Sequence, residues 1–169
     1  MTMGADGLFR GFPWYEKAAS DAGKPCGECG RLMKVYHRRL SRAIVRGLIR
    51  LYRLHQTYPQ KKAFHVRQFD QEGERLALGV LAHWGLVDEV KRHHKDQRTS
   101  GMWALTEFGA QFVRLEAKVP LYAIVKWRSQ LLGFTGPYTT AQECLERGGR
   151  FSYAELMGWK PELTQADLL

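Results

Sequence analysis

Cysteine is scarce in this chain, with three residues in 169. That number cannot build a disulfide framework, which excludes the small stapled scaffolds of secreted proteins. No apolar run approaches the length of a membrane span, so the chain is expected to have no membrane partner. The opening Met1-Thr2-Met3-Gly4-Ala5-Asp6 lacks the basic patch and apolar stretch of a secretion signal, and a cytoplasmic location is expected. Acidic residues are missing altogether from residues 31–67, where eleven Lys or Arg residues stand without one Asp or Glu.

What is present points to a folded and basic protein. Hydrophobic residues make up 44% of the chain, too many for a disordered one, and the length suits one domain with a sizeable core. The net charge is +9, and its distribution says more than its size. From residue 101 to the end, seven basic residues balance seven acidic ones. The positive field therefore belongs to one region, as a surface facing a polyanion requires.

Hydrophobic periodicity predicts a long helix over residues 33–56. Leu40, Ile44, Leu48, Leu51 and His55 recur on one face, and Arg39, Arg42, Arg46, Arg50 and Arg53 recur at steps of three and four on another. Like charges at that spacing repel, so five arginines without a glutamate imply an anion near the stripe. The bland alternative is a solvated polar face.

Further on, the sequence predicts a short strand over residues 64–69 and a helix over 72–84 that ends at Gly85. Residues 86–90 and 102–105 read as two strands of a hairpin, with a basic tip at Lys91, Arg92, His93, His94, Lys95 and Arg98. Thr106 offers a cap for a helix in which Phe108 and Phe112 point to the core. Past Pro120, residues 121–127 and 131–134 are rich in strand formers and suit a second hairpin. Thr140 to Glu143 and Ser152 to Glu155 have the capping-box spacing that starts short helices. The expected domains are an arm over 1–32, a domain over 33–118 with the basic helix first, and a hairpin with short helices over 119–169 packed on that core.

The order helix, Gly85-Leu86-Val87, charged hairpin, Trp103-Ala104-Leu105-Thr106 and helix resembles the winged-helix family over residues 72–115. The resemblance implies an α+β fold with a winged helix-turn-helix core, and double-stranded DNA as partner. In that family the helix before the wing enters the major groove and the wing touches the backbone. Here the wing is suitably basic, but residues 76–84 read Leu-Ala-Leu-Gly-Val-Leu-Ala-His-Trp and carry almost nothing that reads a base edge. The arginine stripe and the wing are thus the candidate contacts, with phosphates as their target. The strings 25–40, Gly133-Phe134 and 151–157 look like small uncharacterised proteins of bacteriophages and prophages. That resemblance implies an origin more than a role, and with the winged-helix resemblance it gives a regulator or accessory factor as the expected function. The alternative is a protein-interaction module that blocks a host defence enzyme, and it predicts an exposed apolar patch at 76–84 or 122–134. A homodimer is compatible with both.

Cys26-Gly27-Glu28-Cys29 has the tight spacing that lets two thiolates share a zinc ion. Four ligands are needed, and His37 is the nearest candidate for a third, with His93 and His94 as others. Two reduced thiols without metal are the alternative. Cys144, His55 and His83 read as packed residues on helices. No grouping of acid, base and nucleophile stands out, and the chain is not expected to be an enzyme.

Overall fold

The computed structural model describes residues 2–3, 9–10, 23–25, 32–69, 78–90, 101–126, 130–147, 149 and 151–163. The fold is mixed α+β and falls into two compact units. One comprises Met1–Arg39 with Pro120–Tyr138, and the other Leu40–Val119 with Thr139–Leu169. The boundaries expected at 32/33 and 118/119 differ from these because both follow changes in sequence pattern. Strand pairing instead joins residues 36–39 to the hairpin that follows Pro120. No helix among the described residues is long and apolar enough to cross a membrane.

The first unit contains two short antiparallel pairs and a three-stranded sheet. Strand β1 (Thr2–Met3) pairs with β2 (Phe9–Arg10), and β3 (Lys24–Pro25) with β4 (Leu32–Met33). The sheet has the order β10-β9-β5, with β5 at Tyr36–Arg39, β9 at Val119–Lys126 and β10 at Gln130–Thr139. β9 is built as a half-buried strand should be. Leu121, Ala123 and Val125 are buried and alternate with half-buried Tyr122, Ile124 and Lys126. The expected second hairpin is thus present, and longer than its apolar strings suggested.

β5 corrects the expectation of a helix starting at residue 33. Tyr36, His37, Arg38 and Arg39 pair with Val125, Ile124, Ala123 and Tyr122 in antiparallel register. The helix, α1, spans Arg42–Thr57, and Ser41 is its N-cap. A serine that accepts the Ile44 N–H in an extended conformation stops helical propagation toward the N-terminus.

The second unit is organised around α1. Val45, Leu48, Ile49, Leu51, Tyr52 and Leu54 are buried, each apolar side chain contributing roughly 1.5–3 kcal/mol. After Tyr58 and Pro59 the chain forms β6 (Phe64–His65) and a 3-10 turn (Val66–Gln68). A second 3-10 helix, Leu78–Trp84, buries Leu78, Leu81 and Trp84 and ends at Gly85, whose φ of 67° is the left-handed conformation expected there. The expected α-helix over 72–84 is therefore 3-10 over its described part, and residues 72–77 lie outside the described residues.

β7 (Val87–Glu89) and β8 (Met102–Leu105) then pair antiparallel, with Val87 opposite Leu105 and Glu89 opposite Trp103. With β6 on the other side of β8, the sheet order is β6-β8-β7. Helices α2 (Glu107–Val113), α3 (Ala141–Glu146) and α4 (Tyr153–Gly158) complete the unit. Their caps are Thr106, Thr140 and Ser152, as their spacing predicted. Cys144 is buried, as expected, and its Sγ donates to the Leu40 carbonyl at 3.1 Å. Phe112 is buried, but Phe108 is 41% exposed and does not join the core. Phe108 lies four residues before Phe112, yet the buried side of this short helix runs through Gly109, Ala110, Phe112 and Val113.

The junction of wing strand and helix is unusually tight. The Thr106 hydroxyl donates to the Gly85 carbonyl at 2.6 Å and accepts the Gly109 N–H at 2.9 Å. A Cβ on Gly109 would lie 2.0 Å from the Leu86 carbonyl oxygen. Alanine would gain about 1 kcal/mol of helix propensity at this position. The overlap with backbone costs more, so Gly109→Ala is expected to destabilise the protein by about 1–3 kcal/mol or to prevent folding. A denaturant titration of the variant measures this, and an unchanged midpoint contradicts it.

His55 faces the same sheet. Its Nε2 accepts the Leu105 N–H at 3.3 Å, and its ring meets Phe64 edge-on at 4.9 Å. Burial holds the imidazole below its ordinary pKa of 6.5, in the neutral form that can accept. The unfolded chain therefore takes up this proton at higher pH than the folded one. The stabilisation is complete above pH 6.5 and is lost as pH falls through the lower folded value. His55→Leu leaves the Leu105 N–H without its acceptor, and is expected to cost about 1–3 kcal/mol at pH 7.5. Thermal or urea unfolding at pH 7.5 and pH 5 should show the gap to wild type narrowing in acid.

Candidate nucleic-acid interface

Of the five arginines expected on one helical face, four lie on α1. Arg39 belongs to β5, because pairing with Tyr122 takes it out of the helix. Arg42 sits half-buried in the first turn of α1, a turn with no acidic residue. The next three turn toward other parts of their own unit. Arg50 is only 7% exposed and donates from a terminal guanidinium nitrogen to the Phe69 carbonyl at 3.3 Å. The Arg46 guanidinium stands over the Phe151 ring, 4.5 Å from its centre. Arg53 donates through Nε to the Trp159 carbonyl at 3.0 Å.

The Arg46 and Arg53 contacts make their part of the stripe a dock for residues 151–159, and Arg50 holds Phe69. An open cleft of about 360 Å³ runs between the stripe and residues 151–159, lined by Arg46, Arg50, Phe151, Ser152, Glu155 and Trp159. Further along, the Tyr58 hydroxyl donates to the Pro161 carbonyl and accepts the Leu163 N–H. The Tyr153 hydroxyl donates to the Val113 carbonyl, and burial raises its pKa, so it remains a donor at neutral pH. The stripe is thus not one continuous solvent-facing surface. Its amphipathic pattern is the same for a helix covered by water and for one covered by chain.

Exposed positive charge is found instead on β5. All four of its residues are exposed. Arg38 and Tyr36 share a face with Ala123 and Val125, whereas His37 and Arg39 share the other with Ile124 and Tyr122. Tyr36 is 41% exposed and two cations stand over its ring, with Lys34 Nζ at 5.6 Å and the Arg38 guanidinium at 5.4 Å from its centre. The strands of this sheet and the chain just before β5, residues 34–39 and 119–139, contain no Asp or Glu. Lys34, Arg38 and Arg39 consequently face no opposing charge within the sheet itself. Lys34 and Arg38 are absent from the residues that the sequence pattern marks. Their signal is the two-residue spacing about Tyr36, which a helical reading hides.

The wing residues Lys91, Arg92, His93, His94, Lys95 and Arg98 lie outside the described residues, as do Cys26 and Cys29. What is described is the hairpin stem, closed by the Val90 N–H donating to the Met102 carbonyl at 2.9 Å. His37 is exposed on β5. Among the described residues no three His, Cys, Asp or Glu side chains gather as metal ligands would.

A structural role for the middle arginines has a measurable consequence. Arg53→Ala removes the guanidinium that holds the Trp159 carbonyl, and a charged donor of this kind contributes about 1.5–3 kcal/mol. The variant should unfold earlier in denaturant, and proteolysis should cut first within residues 151–163. Wild-type stability in this variant would refute the docking role. No family model, curated protein or solved structure matches the chain, so no relative supplies site residues for it.

Proposed function

We propose that this protein binds DNA, that it does so mainly through phosphate contacts, and that its second unit is of winged-helix type. One observation carries the functional reading. A strand with four exposed residues, two of them arginine, stands on a sheet whose chain segments contain no carboxylate. Such a surface attracts a polyanion and releases condensed counterions when the two meet.

The winged-helix reading is supported by element order. α1, β6, the 3-10 helix Leu78–Trp84, β7 and β8 follow one another, and the sheet order is β6-β8-β7. The 3-10 helix turns Leu78, Leu81 and Trp84 inward, and its exposed positions Gly79 and Ala82 have nothing to read a base. This supports binding with little sequence choice, with Arg39, Arg42 and the wing as further phosphate contacts. The cysteine pair remains a candidate zinc site.

The test is binding of a fluorescent DNA duplex across a salt series. Affinity should fall steeply with salt. Arg38→Ala with Arg39→Ala should lower the log–log slope by about two, one for each phosphate that no longer meets an arginine. Absence of binding even at low salt would refute the DNA reading and favour the protein partner.

A further inference from the structure

We infer that Tyr36 on β5 is a stacking platform for single-stranded DNA, with Lys34 and Arg38 as its phosphate clamps. The inference rests on the DNA-binding reading above and names the form of DNA taken at this site.

Tyr36 differs from the other exposed apolar residues in its surroundings. Val90, Phe108, Leu115 and Tyr138 are exposed too, but among these described residues the cation–ring contacts fall on Tyr36. One cation stands on each side of it in sequence, both within 6 Å of the ring centre. Strand geometry sets the Tyr36–Arg38 half of the arrangement. Tyr36 and Arg38 project from one face of β5, two residues or about 7 Å apart, and Lys34 reaches the same ring from the chain just before the strand. Both cations stand over the ring, so a base that stacks on it takes their place and leaves each to meet a flanking phosphate.

The form of the nucleic acid follows from the same geometry. In a duplex the flat faces of the bases are occupied by their neighbours, so an exposed tyrosine ring gains nothing from them. A single strand offers those faces freely, and base–aromatic stacking contributes about 1–3 kcal/mol per base regardless of sequence. Tyr36 lies on the edge strand of its sheet, opposite buried Val125, and is still 41% exposed. A single strand of RNA offers the same base faces, so the experiment includes both.

The experiment measures anisotropy of the full chain with a labelled oligothymidylate of about 15 nucleotides, the length range that such surfaces accommodate, and with a blunt duplex hairpin. Tyr36→Leu, which keeps apolar bulk without a ring, should weaken single-strand binding about tenfold and duplex binding less than about twofold. Tyr36→Phe should retain single-strand affinity, which shows that the fold and the ring suffice. Lys34→Ala with Arg38→Ala should weaken both and flatten the salt dependence.

Unchanged single-strand affinity in Tyr36→Leu would overturn the platform while leaving phosphate binding intact. Tighter binding of oligouridylate would overturn the assignment to DNA. Competition by polyglutamate as effective as that by oligothymidylate would reduce the site to a general anion surface and overturn stacking. Failure of both strands and duplex to bind at low salt would overturn the inference together with the reading beneath it.

Discussion

The second unit depends on the burial of α1 along more than its apolar face. A helix with Val45, Leu48, Ile49, Leu51 and Leu54 in the core, Arg46 and Arg53 against residues 151–159 and Arg50 against Phe69 meets chain on both sides. Burying an arginine is costly unless the guanidinium finds acceptors and its methylenes find apolar surface. Carbonyl oxygens at Phe69 and Trp159 and the ring of Phe151 provide them. Each cover comes from chain that has no regular secondary structure where it meets the arginine, and there carbonyl groups are available to accept.

This constraint divides the basic residues into two groups with different tasks. The arginines in the middle of α1 hold the unit together, and their loss would act on stability before it acted on binding. Those on β5 carry charge into solvent. An exposed cation contributes little to folding, since screening by water and salt removes most of its interaction energy. Positive charge retained on an exposed edge strand also keeps that edge from pairing with another chain. The electrostatic field of the sheet is thus available to a partner at little cost to the fold.

Local chemistry explains which elements are legible in advance. Thr106, Thr140 and Ser152 are side chains that accept an N–H three residues on, an interaction contained within four residues of sequence. Gly85 adopts the conformation that only glycine takes easily. The β9–β10 hairpin is visible in its strand formers. β5 is hidden because Tyr36, His37, Arg38 and Arg39 have no apolar alternation. They form a strand because β9 offers a free edge, and that edge is 83 residues away in sequence by the pairing of Arg39 with Tyr122. Phe108 departs from the expected core for a related reason: with so short a helix, two aromatics one turn apart need not share its buried side.

From sequence alone came the α+β composition, the helix caps, the two hairpins, and the concentration of positive charge in residues 31–67. All of these follow from interactions between near neighbours or from counting charges. Tertiary structure alone decided which of those charges face water. The periodicity of a helix states that arginines share a side, and it is silent about what that side meets. Residues 151–163 cover one part of the stripe, and pairing with β9 carries Arg39 to a sheet edge, because distant segments must satisfy their own backbone and apolar groups where the folded chain brings them.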